Sequence, residues 1–348
     1  MSASDAASPD DSITPLTTDS TGTSEPSCAE EVTFDSAGTR CRGWWFEGTG
    51  VGAMVVMAHG LGGTVAGGLV DYAQALHHAG HSVLVFDYRH FGRSDGEPRQ
   101  LLGIKRQQQD YTAAIDYARG RAPALPLVLW GTSFSSAHVI TLAARRDDVA
   151  AVIAMNPMLD GRASSLLKLK QAGLGTFLHM TGVGLADLAR GCVGREPRYL
   201  PLAGEPGTLA ALSTPDALTG VLSFADDDFD NRIAPRALLG LGLYRPVSRA
   251  RQVRCPVLLQ LCLRDSVAPI APGYRLAEAL GSRATLKTYD TGHFEIYEGD
   301  WQTALADDQR EFLAQALAPS PAPTSASTAP PNESPQHTPD KTDPPTAR

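Results

Sequence analysis

The sequence predicts an α/β fold, a mostly parallel sheet with helices on both faces. Two observations predict it. Short apolar runs recur along the chain with almost no polar residue inside them, the pattern of strands buried on both sides. Between those runs lie segments whose apolar residues repeat at helical spacing. Strands that alternate with helices imply parallel strands joined by crossover helices.

Taken in order, EVTF (31–34) and RCRGWWF (40–46) read as two early strands. AMVVMAH (53–59) is a short apolar strand, LVDYAQALHHA (69–79) a helix and SVLVFD (82–87) the next strand. The segment 101–119 carries helical spacing. PLVLWG (126–131) followed by AHVITLAARR (137–146) gives strand and helix again, and VAAVIAM (149–155) is a further strand. PVLLQLCL (256–263), LAEAL (276–280), ATLKTY (284–289) and a last helix over 301–317 complete the alternation. Residues 160–250 break it: they hold helical pieces rich in Leu and Gly but no strand series. Such an insertion between two sheet strands predicts a helical cap. In open parallel sheets ligands bind beyond the carboxyl ends of the strands, so the cap would cover the site.

The chain has 348 residues, of which 43% are hydrophobic and 20% charged, enough for a sizeable core. The body is expected over 30–318, a single domain. Segments 1–29 and 319–348, the latter rich in Pro, are expected to be disordered because they offer too little apolar surface to offset the entropy of ordering. The net charge of -8 comes from dispersed acidic residues, which argues against a nucleic-acid or membrane surface. No apolar run approaches the roughly 18 residues of a membrane span. MSASDAASPDDS has no charged-then-apolar leader pattern, so the expected location is cytoplasmic. The cysteines at 28, 41, 192, 255 and 262 form no C-x-x-C pair and are expected to be reduced, packed thiols. Cys255 and Cys262, at odd spacing on one predicted strand, should point to opposite faces. No metal or cofactor is expected.

The chemistry concentrates in LWGTSFSS (129–136). Ser133 lies two residues after Gly131, between a strand and a helix, the context of a nucleophile elbow. Ser135 stands where that motif ordinarily has Gly. Taken alone, the stretch also fits a hydroxyl-capped helix start. A serine hydroxyl needs a base, and the base an orienting acid. His293 follows one predicted strand and Asp265 follows another, and the order Ser, Asp, His is that of the hydrolase sheet. Asp290 and Asp160 are rival acids. An oxyanion site is expected at the amides of Phe134, at a helix N-terminus, and Leu61, in the Gly-rich turn HGLGGT (59–64). Arg89, His90, Arg93 and Asp95, in the loop 87–99, read as scaffold residues in preference to substrate contacts.

HGLGGT, FDYRHFGRSDGEPRQ, LWGTSFSSAH, the RD of LCLRDSVAP and GHFEIY together resemble an α/β-hydrolase over about 45–318. The resemblance is to the serine-peptidase-like and dienelactone-hydrolase-like branch, which includes fungal polyketide transferases. It implies an eight-stranded, mostly parallel sheet with Ser133 as nucleophile, His293 as base and Asp265 as acid. Ser136 and Ala137 stand where relatives often carry two glycines. The expected function is a serine hydrolase cleaving an ester, thioester or amide of a small or medium apolar substrate. Two alternatives keep the fold: an acyltransferase using the same triad, and a non-catalytic ligand-binding protein. The expected partner is a small-molecule acyl substrate.

Overall fold

The computed structural model describes residues 28–318; the expectation of disorder for 1–29 and 319–348 falls, but for Cys28 and Ala29, outside them. Eight strands form one sheet in the order β1-β2-β4-β3-β5-β6-β7-β8. They are β1 (Glu30–Ser36), β2 (Thr39–Phe46), β3 (Met54–Ala58), β4 (Ser82–Phe86), β5 (Leu127–Thr132), β6 (Val149–Met155), β7 (Val257–Cys262) and β8 (Ala284–Tyr289). β2 pairs antiparallel with β1 and β4; every pairing from β4 to β8 is parallel.

The apolar runs are continuous because both faces are covered. In β3, Met54, Val56 and Ala58 pack beneath α2 (Ile104–Arg121), α3 (Phe134–Ala143) and α6 (Ala271–Leu280). Val55 and Met57 face α1 (Leu69–His78) and α7 (Gly299–Ala316). Successive residues of a strand point to opposite faces, so one five-residue strand feeds both cores. Cys262 joins the α1/α7 face and Cys255 the other, although Cys255 lies just before β7 and not on it.

Helix starts differ from the sequence reading. α2 begins at Ile104, not 101, because Gly103 is extended. α3 begins at Phe134, three residues before the expected AHVITLAARR, and α6 begins at Ala271, five before LAEAL.

β6 and β7 are neighbours, with Val152 opposite Val257, yet α4 (Gly161–Cys192), α5 (Ala217–Ser223) and two 3-10 segments (Pro235–Leu243 and Pro246–Gln252) lie between them in the chain. α4 is kinked at Gly173, whose φ is 77°. Met180, Leu200, Leu202 and Ile233 form a small core of their own within this region. Among the described residues, no helix is long and apolar enough to cross a membrane.

Candidate active site

Ser133 follows β5 directly and precedes the first residue of α3, with φ 50° and ψ −111°. A non-glycine residue held at positive φ costs about 1–3 kcal/mol, so its surroundings must enforce it. The enforcement is local. A Cβ at position 131 would stand 2.5 Å from the carbonyl carbon of Ser135, so only glycine lets strand and helix close this tightly. The Ser133 amide donates to Met155 O at 2.9 Å and to Asn156 Oδ1 at 3.0 Å.

The neighbouring hydroxyls do not cap α3; Ser133 makes no side-chain cap either. Ser136 Oγ donates to Gly131 O (2.7 Å) and Met155 O (3.0 Å). Thr132 Oγ1 donates to Asn156 Oδ1 at 2.8 Å and lies 2.6 Å from the Tyr297 hydroxyl. Ser135 Oγ donates to His59 O at 2.5 Å, with the Tyr88 hydroxyl 2.7 Å away. That bond ties the turn after β3 to the elbow, a role that glycine at 135 could not fill.

Asp265 and His293 follow β7 and β8, the next strands of the sheet beyond β6. His293 Nε2 lies 3.1 Å from Ser133 Oγ, and Nδ1 lies 2.7 Å from Asp265 Oδ2. Asp265 Oδ1 accepts the amides of Val267 (2.8 Å) and Ala268 (2.7 Å), which fixes the carboxylate. A carboxylate only accepts, so the imidazole proton belongs on Nδ1, and Nε2 is left to accept from the serine hydroxyl. Ser133 and His293 are buried, and the Asp265 side chain is 2% exposed.

The rival acids are engaged elsewhere. Asp160 begins α4, accepting the Arg162 amide, and pairs with Arg245 (3.0 Å) and Arg275 (3.4 Å). Asp290 is exposed and pairs with Arg264 at 3.1 Å. Arg89 is buried against Asp110 and Ser36, His90 N donates to Asp95 O, Arg93 pairs with Glu31 over the Trp44 ring, and Asp95 pairs with Arg42. None of the four lines the cavity beside Ser133.

That cavity, about 200 Å³, is walled by Leu61, Phe134, Met158, Phe177, Leu202 and Phe229 among others, and reaches Ser133 and His293. The Phe134 amide is the first of α3, with no carbonyl one turn earlier to accept it. The Leu61 amide donates no hydrogen bond among the described residues. Gly60 closes on Ser133: a Cβ there would stand 3.0 Å from Ser133 Cβ.

Two site residues escaped the sequence reading. Asn156, at φ 37°, donates from Nδ2 to His293 O at 3.1 Å while holding the Ser133 amide. An Asn-Pro pair after a buried strand was the available signal. His59 lines the cavity with Nδ1 donating to Gly60 O at 3.0 Å and Nε2 accepting the Tyr88 amide at 3.3 Å. Burial pulls its pKa down to about 4, so its imidazole is neutral and braces the turn that carries Leu61.

The model of the family described as serine aminopeptidase, S33, matches residues 50–299. The quorum-quenching protein AidA of Acinetobacter baumannii is 38% identical over 294 residues, covering 83% of this chain and 95% of that protein. Polyketide transferase af380 of Aspergillus fumigatus is 23% identical over 299 residues, covering 83% of this chain and 98% of that one. Among solved structures, the alpha/beta hydrolase GrgF from Penicillium sp. sh18 superposes with a TM-score of 0.69 at 23% identity, covering 83% of this chain and 99% of that one.

Proposed function

The chain belongs to the serine aminopeptidase, S33, family of α/β-hydrolases, and we propose that it is a serine hydrolase acting on an ester, thioester or amide of a small or medium apolar substrate. One observation carries the reading: the unbroken contact from Ser133 Oγ through His293 to Asp265, at 3.1 Å and 2.7 Å, at the wall of an apolar cavity.

His293 Nε2 takes the proton of Ser133 as Oγ attacks the substrate carbonyl. Asp265 holds the ring in the tautomer that leaves Nε2 free and stabilises the imidazolium that forms. Negative charge moves to the carbonyl oxygen, where the amides of Phe134 and Leu61 receive it; one such donor contributes about 3–4 kcal/mol of barrier lowering. His293 returns its proton to the leaving group. Water, activated by the same imidazole, then splits the acyl-enzyme and regenerates Ser133. The cavity's apolar lining suits an aliphatic acyl or alcohol portion.

A second reading keeps every residue and changes the acceptor. If an alcohol or amine reaches the acyl-enzyme before water, the chain is an acyltransferase. The relatives named polyketide transferases favour it, as does the apolar cavity, which disfavours water. Product analysis with and without added alcohol or amine separates the two. A role in removing a signalling compound, suggested by the relative named as quorum-quenching, requires only that the compound contain a bond of this class.

The test is fluorophosphonate labelling of the wild type and Ser133→Ala, read by intact mass and peptide mapping. A single adduct on Ser133, absent from the variant, is the expected result. A folded wild type that takes no adduct would overturn the reading in favour of a ligand-binding protein.

A further inference from the structure

The cavity has one feature that an apolar acyl group does not explain. Among the residues lining it, Lys168 is the only lysine or arginine, and no aspartate or glutamate lines it. Lys168 projects from α4, half-buried, with Ser164 one turn before it and Gln171 one turn after it on the same cavity wall. Its Nζ donates to Ala210 O at 3.0 Å and to Ser213 Oγ at 2.6 Å, and makes no ion pair among the described residues. Lys287, by contrast, sits 2.9 Å from Asp308.

An ammonium carries three donors, and two are used on neutral oxygens. The third donor meets no acceptor and the charge no carboxylate among the described residues, at the wall of a largely apolar cavity. A charge partly withdrawn from water without a counter-ion is costly, and a methionine of similar length would fill the same wall without that cost. Burial accordingly pulls the Lys168 pKa down to about 8, which leaves the group protonated at neutral pH.

We propose that Lys168 binds a carboxylate of the substrate, so that the preferred substrates are esters, thioesters or amides carrying an anionic oxygen as well as the reacting carbonyl. The α4 wall holds the anion while Ser133, at the end of β5, attacks the carbonyl, and the apolar walls enclose the carbon chain between them. This rests on the reading of Ser133 as the nucleophile. No covalent change occurs at Lys168, which acts by binding alone.

The experiment compares kcat/KM for mono-4-nitrophenyl esters of dicarboxylic acids of six to ten carbons with the neutral 4-nitrophenyl alkanoates of equal length. It uses the full-length wild type, Lys168→Met and Lys168→Arg. The expected result is a preference for the carboxylate ester at one or more lengths in the wild type. Its carboxylate-to-neutral ratio should fall at least tenfold in Lys168→Met and be largely retained in Lys168→Arg. A wild type that prefers the neutral ester at every length would overturn the proposal, as would a Lys168→Met variant with an unchanged ratio.

If no ester is turned over, calorimetric titration of the wild type with monomethyl adipate and methyl hexanoate decides. Tighter binding of the adipate supports the role of Lys168, while equal binding or none overturns it. Absence of a fluorophosphonate adduct on Ser133 would separately remove the hydrolase reading.

Discussion

Asn156 Oδ1 accepts the main-chain amide of Ser133 at 3.0 Å, so the residue just after β6 holds the residue just after β5. Its Nδ2 meets the His293 carbonyl at 3.1 Å, which makes one side chain the brace between Ser133 and His293. Because Asn156 sits at φ 37°, alanine there would add backbone strain to the loss of the side chain. Asn156→Gly removes the brace and the Thr132 acceptor without that strain. It should lower kcat/KM by about tenfold to a hundredfold, the range in which small misplacements of reacting groups act. Steady-state kinetics on an activated ester measure it, and a Gly variant with wild-type kcat/KM would refute the role.

Asp265→Asn tests the tautomer argument. The amide oxygen can keep accepting the Val267 and Ala268 amides, which turns the NH2 group toward His293 Nδ1. Nδ1 must then accept, the proton moves to Nε2, and the ring can no longer take the Ser133 proton. The expected loss is about four orders of magnitude in kcat, the size of this change in Ser-His-Asp sites. Asp160→Asn and Asp290→Asn, whose partners are arginines, should each change kcat far less. A large kcat loss in either, with Asp265→Asn near wild type, would reassign the acid.

The strands, and the places of Ser133, Asp265 and His293 just after them, were legible because each depends on local pattern: a run such as VVMA buried on both faces, or a polar residue just past it. The eight-stranded count came from family resemblance. Asn156 and the Ser135–His59 bond were not legible, because they depend on which strands lie side by side, and β5 meets β6 and β3 only once the sheet has formed. The Lys168 environment was hidden for the same reason. Its partners, Ala210 and Ser213, lie beyond α4 in sequence and reach it through tertiary packing.

The pair Arg89–Asp110 predicts a stability defect with no chemical one. Asp110 is fully buried, its Oδ1 accepts Arg89 Nε at 2.6 Å, and its Oδ2 accepts the Arg89 amide at 3.2 Å. Asp110→Ala leaves a buried guanidinium without its counter-ion, a change that costs about 3–5 kcal/mol. Replacing both residues with apolar ones of similar volume should recover much of that loss. Urea unfolding of the single and double variants checks it, and a loss under about 1 kcal/mol in the single variant would contradict the buried-charge argument.

Acid sensitivity should come in part from His138. Its ring is enclosed between α2, α3 and the 3-10 segments before β7: Nε2 lies 3.0 Å from Gln107 Oε1 and Nδ1 2.9 Å from the Tyr244 hydroxyl. Burial pulls its pKa down to about 3, and that of His59 to about 4. An unfolded histidine takes its proton below about pH 6.5. Between there and pH 4 the unfolded chain binds a proton at each position that the native state refuses. Each histidine therefore contributes stability that is full above about pH 6.5 and falls by about 1.4 kcal/mol per pH unit on acidification.

Asp87 works in the opposite direction. Burial raises its pKa to about 7, so the native state gains relative stability as pH falls through 7. The comparison that isolates His138 is wild type against His138→Gln, since every other titrating group is common to both. Unfolding free energies from urea titrations at pH 4.5 to 7.5 should show the variant losing about 1.4 kcal/mol less per pH unit below pH 6.5, whatever its stability at pH 7.5. Identical slopes would mean that His138 takes up its proton in the folded state, and that the enclosure by Gln107 and Tyr244 does not hold it neutral.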